Sequence, residues 1–264
     1  MKKIAILLLA ILTFSCSDDD EKGTEEDKGQ WAMIFNETVK SDSNPVDRTE
    51  KFMFDGERLI QHIIKQRYFE EEINNEVNLS YSDNQVTVTT DYLTLVYTLN
   101  SEGYASQCVY SLSSQNRIYQ FSYSAEGYLT GIVENIDNTE YSSTSLTYEN
   151  GDITSISSKM NGLENKFIYE PGEESSTYHL PCLGLLEIHP LTFHIEALYA
   201  GLLGKDPRHF TMHSCPAGSN DEKTIYSYEF DKKGNPSRMI CQTTYAGGQA
   251  SYYPYTRNIS ISFE

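Results

Sequence analysis

Apolar and aromatic residues alternate with polar ones along most of the chain after residue 30. In FSYSAEGYLTGI, at 121–132, Phe121 and Tyr123 alternate with serines, a glycine follows, and apolar residues then resume. Alternation places one set of side chains on each face of a β-strand. The Glu-Gly pair supplies the glycine that tight turns with positive φ require. The stretch therefore predicts a β-hairpin.

The same hairpin pattern recurs along the chain. Similar stretches occupy residues 52–60, 79–88, 97–108, 146–156 and 226–240. Their irregular spacing of about 25 residues corresponds to two strands and two turns. The polar residues vary freely between the copies, which indicates a repeated building unit and not a catalytic loop. We expect an all-β fold, a strongly curved antiparallel meander of about a dozen strands that forms a half-barrel or a porin-like barrel. Serine, threonine and glutamate on the second face of many strands predict a soluble sheet with one apolar face.

One segment departs from the strand pattern. Residues 189–207 carry apolar residues at helical spacing, a proline near the start and Gly204 and Pro207 after the last apolar residue. This predicts one short helix near 191–203, inside a helical insert that covers 181–207. Its apolar stripe should pack against the sheet or plug one end of it. Residues 31–264 otherwise form a single β domain.

The first fifteen residues resemble the signal peptide of a bacterial lipoprotein. Two lysines precede an apolar run at 4–12, which is far shorter than the roughly 20 residues that a membrane-spanning helix needs. Cys16 follows at the position of the lipidated cysteine, although Thr13 replaces the leucine that is usual there. We expect residues 1–15 to be removed and Cys16 to carry the lipid. The alternative is a cleaved signal peptide with an incidental cysteine.

An acidic segment follows the cysteine. Residues 17–30 contain seven acidic residues, two lysines and no large apolar side chain. Such a segment buries too little surface to offset the entropy of ordering, so 16–30 is predicted to be a disordered tether. An acidic run after a lipidated cysteine resembles the export signal of surface lipoproteins in certain Gram-negative bacteria. It predicts an outer-membrane location that faces the cell exterior, with the periplasmic face as the alternative.

Charge and cysteine content limit the partners and cross-links. The net charge of −18 opposes binding to nucleic acid and to anionic lipid head groups. We therefore expect no nucleic-acid partner, and membrane contact through the lipid only. Four cysteines remain after Cys16, and they allow three full pairings that the sequence does not distinguish. A disulfide between Cys182 and Cys215 is one candidate because it would close the helical insert. The alternative is buried thiols that pack as small hydrophobic groups.

The hairpins, the lipoprotein start and the stretch ALYAGLLGKDPRHF at 197–210 resemble a bacterial lipoprotein family called domain of unknown function 4595. That family is described as having a porin-like fold, and the resemblance covers most of residues 31–264. A more distant likeness is to the tyrosine–aspartate repeats of Rhs-type shells. The family implies a barrel or half-barrel, and it implies no activity and no catalytic residues.

No catalytic motif stands out in the sequence. The G-x-S-x-G, P-loop and H-E-x-x-H patterns do not occur. His189 and His194 are five residues apart, whereas three or four would place them on one helix face. We therefore expect no catalytic residue, no metal site, no cofactor and no enzymatic activity.

Aromatic residues favour a binding role. The chain has twenty tyrosines and eleven phenylalanines but one tryptophan, Trp31, where the tether meets the domain. Tyr252, Tyr253 and Tyr255 surround a proline in a predicted loop, and tyrosine offers a flat stacking surface with a polar tip. These four residues are the candidate contacts to a glycan or peptide, unless they fill the core. An assembly partner for another envelope protein is the second hypothesis, and a hydrolase is the third.

Overall fold

Sixteen β-strands and one short α-helix, which follows a 3₁₀ turn, are the main elements of the described part of the chain. The structure is a computed structural model, and it describes residues 29–40, 46–68, 71–112, 115–175, 180, 185–186, 188–219, 222–245 and 255–264. The strands are β1 Gln30–Lys40, β2 Val46–Asp55, β3 Arg58–Tyr68, β4 Glu71–Ser82, β5 Gln85–Thr89, β6 Thr94–Leu99, β7 Ala105–Leu112, β8 Gln115–Tyr123, β9 Leu129–Ile136, β10 Thr139–Glu149, β11 Asp152–Met160, β12 Leu163–Ser175, β13 His209–Pro216, β14 Glu222–Phe230, β15 Pro236–Tyr245 and β16 Tyr255–Phe263. The 3₁₀ turn covers Leu191–Phe193, and helix α1 covers Ile195–Tyr199.

The sixteen strands form a closed antiparallel barrel. Each strand pairs with its neighbours in sequence, and β1 closes the barrel by pairing with β16 as well as with β2. Backbone bonds of 2.9 Å in both directions between Ala32 and Glu264 extend this closing ladder. The prediction of a porin-like barrel is confirmed, and the half-barrel alternative is wrong. The predicted dozen strands is too few, because charged residues on the lumen face of β2 and β3 interrupt the alternation there.

Successive turns of a meander alternate between the two ends of the barrel. We call one end the plug end; there β2 connects to β3, β4 to β5, β6 to β7, β8 to β9, β10 to β11 and β14 to β15. The segment between β12 and β13 also leaves and rejoins the barrel at this end. We call the other end, where β3 connects to β4 and β11 to β12, the open end.

One turn structure occurs three times at the plug end. At Asn100, Ser124 and Asp231, a side-chain oxygen accepts hydrogen bonds from the backbone N–H groups two and four residues later, at 2.8–3.3 Å. The glycine three residues on has a positive φ of 84°, 91° or 84°. Short polar side chains and glycine are the residues that such turns require. The predicted hairpin at FSYSAEGYLTGI is confirmed, and it is one of these three.

The barrel is apolar inside and polar outside. Residues paired across neighbouring strands share a face, and those facing the lumen form one continuous buried core. The core includes Phe35, Val77, Leu79, Val86, Leu95, Ile132, Ile156, Ile259 and Ile261. Many of the intervening positions on the outer face are exposed and polar, although some are apolar, such as Val96, Val109 and Ile118. The exposed polar positions include Asn36, Thr38, Glu76, Asn78, Ser80, Gln120, Ser122, Ser145, Thr147, Ser260 and Ser262.

The insert between β12 and β13 enters the lumen and packs against this core. A sixteen-stranded barrel is too wide for its own side chains to fill, so an inserted segment can contribute the missing apolar surface. We call residues 188–206 the plug. Its buried side chains Leu191, Tyr199, Leu202 and Leu203 belong to the same core as the barrel wall. Backbone bonds from Ala105 N to Leu202 O, at 2.7 Å, and from Lys205 N to Gly127 O, at 2.9 Å, hold it at the plug end.

The helix in the plug is shorter than predicted. The 3₁₀ turn replaces its first turn, and α1 ends where Gly201 takes a positive φ of 68°. The apolar stripe packs against the sheet as expected. In the described part of the chain, no helix is both long enough and apolar enough to cross a membrane.

Candidate functional site

Three polar side chains of the plug reach three different strands of the wall. Each contact joins residues that are far apart in sequence and at least partly buried, so each was made at the cost of desolvating both groups. The contacts are His189 Nε2 to Glu134 Oε2 at 2.5 Å, His194 Nδ1 to the Tyr97 hydroxyl at 2.7 Å, and Glu196 Oε1 to His62 Nδ1 at 2.8 Å. They fix the tip of the plug across the middle of the lumen.

Glu134 on β9 is a buried carboxylate with four hydrogen-bond partners. Its Oε1 accepts from Arg117 Nη1 at 3.1 Å and from the Tyr119 hydroxyl at 3.2 Å. Its Oε2 accepts from the Ser142 hydroxyl at 2.7 Å and lies against His189. Burial opposes ionisation, but the hydrogen bonds from His189 and Ser142 outweigh it and lower the pKa of Glu134. The carboxylate therefore stays charged, and its acceptor sites are all used.

Arg117 on β8 joins this carboxylate to two aromatic rings. Its guanidinium carbon lies 6.0 Å from the ring centroid of Tyr110 and 5.8 Å from that of Tyr141. Such distances are typical of cation–π contacts. The Arg117 side chain is partly exposed, whereas Glu134 is fully buried. The cation is thus the solvent-facing member of the pair.

His62 on β3 lies between two carboxylates. Its Nε2 is 2.9 Å from Glu50 Oε2, and its Nδ1 meets Glu196. Burial would lower the pKa of His62, but its hydrogen bonds to Glu196 and Glu50 outweigh this and raise the pKa. Arg48 Nε is also 2.7 Å from Glu50 Oε1. On the neighbouring strands, Arg257 pairs with Glu37, with 3.1 Å between Nη2 and Oε2.

His194 is fully buried among aromatic rings. The rings of Tyr97, Tyr119 and Phe121 meet it edge-on, with centroids 4.4–5.8 Å away. Its Nε2 has no hydrogen-bond partner among the residues that the structure describes. Burial lowers the pKa of His194 to about 3, so the ring is neutral and fastens the plug through Tyr97 without charge.

Lumen-facing apolar residues stay exposed at the open end. Met160 pairs with Ser142 and Leu163 with Met160, so all three share the lumen face. Ile73 has the same orientation on β4 through its pairing with Gln66. Their exposed fractions are 38% for Met160, 74% for Leu163 and 47% for Ile73. Phe193, on the tip of the plug, is 42% exposed and packs edge-on against His189 at 5.6 Å. Among the described residues, the lumen side of the open end and the tip of the plug therefore carry exposed apolar surface.

The residues predicted as ligand contacts are not brought together by the described structure. Trp31 lies at the plug end, where its ring stacks on Phe54 at 4.2 Å and its indole N–H donates to Gly56 O at 2.7 Å. Tyr252 and Tyr253 lie outside the described residues. Tyr255 begins β16 at the open end, opposite the end that holds Trp31.

The predicted covalent sites also stay predictions. Cys16 and Cys182 lie outside the described residues, as does most of the predicted tether. Cys215 is on β13, and its thiol is free in the structure. The Cys182–Cys215 disulfide therefore stays a prediction.

The charged residues of the lumen were missed in the sequence because single charges in strands usually face solvent. A usable signal was present. Arg117 has the same strand parity as Tyr119 and Phe121, and Glu134 has the same parity as Ile132. A charge in register with a buried aromatic run indicates a polar group on the core face.

A closed antiparallel barrel of sixteen strands is the architecture of a porin-like barrel protein. The chain belongs to the family described as "Domain of unknown function (DUF4595) with porin-like fold", whose model matches residues 52–238. No curated protein matches the chain.

Two solved structures share the fold. A porin-like protein from Bacteroides uniformis has a TM-score of 0.79 and 27% sequence identity, over 88% of this chain and 96% of that chain. A porin-like protein from Bacteroides vulgatus has a TM-score of 0.52 and 12% identity, over 87% of this chain and 97% of that chain. At 12% identity the second likeness concerns the fold alone.

Proposed function

We propose that this chain is a lipid-anchored envelope protein that binds a glycan or a peptide in the open half of its lumen and performs no chemistry on it. The observation that carries the proposal is the exposure of Ile73, Met160 and Leu163 on the lumen face and of Phe193 on the tip of the plug. Apolar and aromatic surface in a concave site, with a few fixed polar groups, is typical of binding pockets.

The outer surface supports a tethered barrel, not an inserted one. An outer-membrane barrel presents an apolar band to lipid and a polar interior. This barrel has the reverse arrangement, with the apolar core inside. An N-terminal lipid on Cys16 would supply the attachment instead.

The position of β1 supports an outward-facing site. The strand begins at Gln30 at the plug end and runs toward the open end. A tether from Cys16 would therefore join the barrel at the plug end. The open end is free to face away from the membrane, and the exterior of the cell is the location we propose.

The state of the lumen carboxylates supports binding without catalysis. A general acid needs a pKa raised toward neutrality. The pKa values of Glu50 and Glu134 are both lowered, because partners such as His62 and His189 outweigh the effect of burial. Both carboxylates already hold fixed structural partners.

The assembly role has its own supporting observation. The β13–β14 ladder pairs at two positions only, and Met212 and Ile225 are exposed beside it. Because every described strand is paired on both sides, a partner would dock on this outer face and not on a free edge. Crosslinking of the anchored chain in cells, lost on Ile225→Asp, would favour this second function.

The binding proposal is tested with two matched aspartate variants of the full-length chain. Leu163→Asp changes the lumen face, and Met212→Asp changes an exposed apolar residue away from the lumen. Screening on a glycan array and a peptide array should show ligands that the wild type and Met212→Asp bind and Leu163→Asp does not. Absence of any ligand, or equal loss in both variants, would contradict the proposal.

The anchor is tested separately. Metabolic labelling with palmitate should mark the wild type and Cys215→Ser, and it should be lost in Cys16→Ser. Protease shaving of intact cells should remove the protein if it faces the exterior. Labelling that persists in Cys16→Ser would exclude the proposed lipid site.

A further inference from the structure

Arg117 is placed at the boundary between the plugged and the open parts of the lumen. Its partner Glu134 bonds to His189 at the tip of the plug. Arg117 on β8 pairs in register with Ile136 of β9, which is the last residue before the turn at the open end. The side chain is 22% exposed. Arg117 is therefore a cation that a ligand in the open lumen can reach.

Most of the hydrogen-bonding capacity of Arg117 is unused. A guanidinium has five N–H donors, and in the described structure Arg117 donates from Nη1 to Glu134 and also bonds to the Tyr119 hydroxyl. Its Nε is buried and has no partner among the described residues. Glu134 cannot accept more, since Tyr119, Ser142 and His189 occupy its remaining sites.

Two aromatic rings flank this cation. Tyr110 on β7 and Tyr141 on β10 lie on either side of Arg117 along the wall and are half-buried. A tyrosine ring offers an apolar face and a polar tip, which suits the C–H face of a sugar ring. A guanidinium beside such rings recognises carboxylates through two parallel hydrogen bonds.

We propose that Arg117, with Tyr110 and Tyr141, is the subsite that recognises a carboxylate-bearing saccharide, a uronate of an acidic glycan. This inference rests on the proposed lumen-binding function and specifies the class of ligand. Arg117 holds the carboxylate, and the two tyrosine rings hold the pyranose beside it. The flanking rings favour a saccharide over an acidic peptide, whose carboxylates stand on flexible aliphatic side chains.

The test uses the full-length chain and a set of defined probes. These are oligogalacturonate, its carboxyl-reduced form, a sulfated oligosaccharide that has no carboxylate, and an acidic peptide. Calorimetric titration should detect oligogalacturonate, with binding at least tenfold weaker for the carboxyl-reduced form. Tighter binding of the sulfated probe or the acidic peptide would overturn the assignment to a uronate.

Variants locate the subsite. Arg117→Gln should weaken oligogalacturonate binding at least tenfold, and Arg117→Lys should weaken it less, because the charge remains while the paired donors are lost. Tyr141→Leu should weaken both the acidic and the reduced probe. Arg238→Gln is the matched control, since Arg238 pairs with Glu229 at the same 3.1 Å on the outer face; it should bind as the wild type does.

Failure of this inference and failure of the proposed function give different results. If Arg117→Gln folds, as judged by its urea midpoint, and binds like Arg238→Gln, the uronate subsite is wrong. The proposed lumen function would still hold if both oligogalacturonate and its carboxyl-reduced form bind equally well and Leu163→Asp abolishes both. If no probe binds, or if Leu163→Asp has no effect, the lumen function itself fails.

Discussion

His62 on β3 and Glu196 on α1 are 134 residues apart in sequence, and their side chains meet at 2.8 Å inside the barrel. With Glu50 on the other ring nitrogen, His62 holds a proton between two carboxylates. This arrangement ties the plug to the wall by charge as well as by packing. It also makes the stability of the plugged barrel depend on pH.

The first prediction concerns Glu196→Gln. The pKa of His62 is raised above 6.5, so its contribution to the free energy of unfolding is fully present below pH 6.5. That contribution is lost as pH rises through the folded-state pKa. Removing one carboxylate should lower that pKa and move the loss to lower pH, with about 1–3 kcal/mol of destabilisation where His62 is charged. Urea unfolding across a pH series measures both effects.

The control for this prediction is Glu229→Gln. Glu229 and Arg238 form an exposed pair on the outer face, and such pairs contribute about 0–1 kcal/mol. The free energy of unfolding of Glu229→Gln should therefore change little, and its pH dependence should match that of the wild type. An unchanged profile in Glu196→Gln would show that His62 does not depend on the plug for its proton.

The second prediction concerns His194 and acid. Burial lowers its pKa from 6.5 to about 3. Its contribution to stability is therefore present above pH 6.5 and is lost as pH falls from there toward 3, by about 1.4 kcal/mol per pH unit. In the upper part of this window, the contribution of His62 is already complete. The pKa values of Glu50 and Glu134 lie below 4.5, so their contributions are lost only at lower pH.

His194→Gln isolates this effect. The amide can still bond to the Tyr97 hydroxyl, but it does not titrate. Unfolding free energies at about pH 7, 6 and 5 should fall less steeply for His194→Gln than for the wild type. Equal slopes would mean that His194 is not the buried group that takes up a proton on acid unfolding.

The strand pattern and the turn chemistry were readable from the sequence because both are local. Alternation across 121–123 and the glycine at 127 depend on neighbours within a few residues, and the structure confirms that hairpin. Closure depends on β1 meeting β16 across more than two hundred residues. No local signal specifies that pairing, so the barrel and the half-barrel could not be separated.

The polar contacts of the lumen were harder to foresee for the same reason. Glu134 is a single acidic residue in an apolar strand. Its partner His189 belongs to the plug, 55 residues later, so the contact is not visible in the local sequence. The prediction that the insert would pack against the sheet was correct. The strand that each of its side chains contacts depends on the position of the insert inside the closed barrel. That position is determined by the whole fold.

The third prediction concerns Glu134→Gln. The amide nitrogen of glutamine is a donor. It would replace either Oε1, which faces Arg117 and Tyr119, or Oε2, which faces Ser142 and His189. Breaking a buried ion pair by removing one charge costs about 3–5 kcal/mol. We expect a loss of that size in the free energy of unfolding, measured by urea titration near neutral pH. A loss no larger than that of Glu229→Gln would show that the network contributes little.

The fourth prediction compares two glycines that share a backbone conformation. Gly103 has a φ of 84° and open space where a Cβ would stand. Gly204, at the end of the plug, has a φ of 92°, but a Cβ there would lie 2.6 Å from Gly127 O and 3.1 Å from the Tyr123 ring. Both alanine variants incur the left-handed backbone penalty of about 1–2 kcal/mol. Only Gly204→Ala must also push the plug away from the β8–β9 turn.

Gly204→Ala should therefore lose about 1–3 kcal/mol more than Gly103→Ala, because overpacking adds to the backbone term. Hydrogen exchange should show where the difference arises. In Gly204→Ala the amide of Lys205, which bonds to Gly127 O at 2.9 Å, should exchange faster, and in Gly103→Ala it should not. Equal destabilisation, with Lys205 equally protected in both variants, would mean that the close approach of plug and turn does not hold the plug in the barrel.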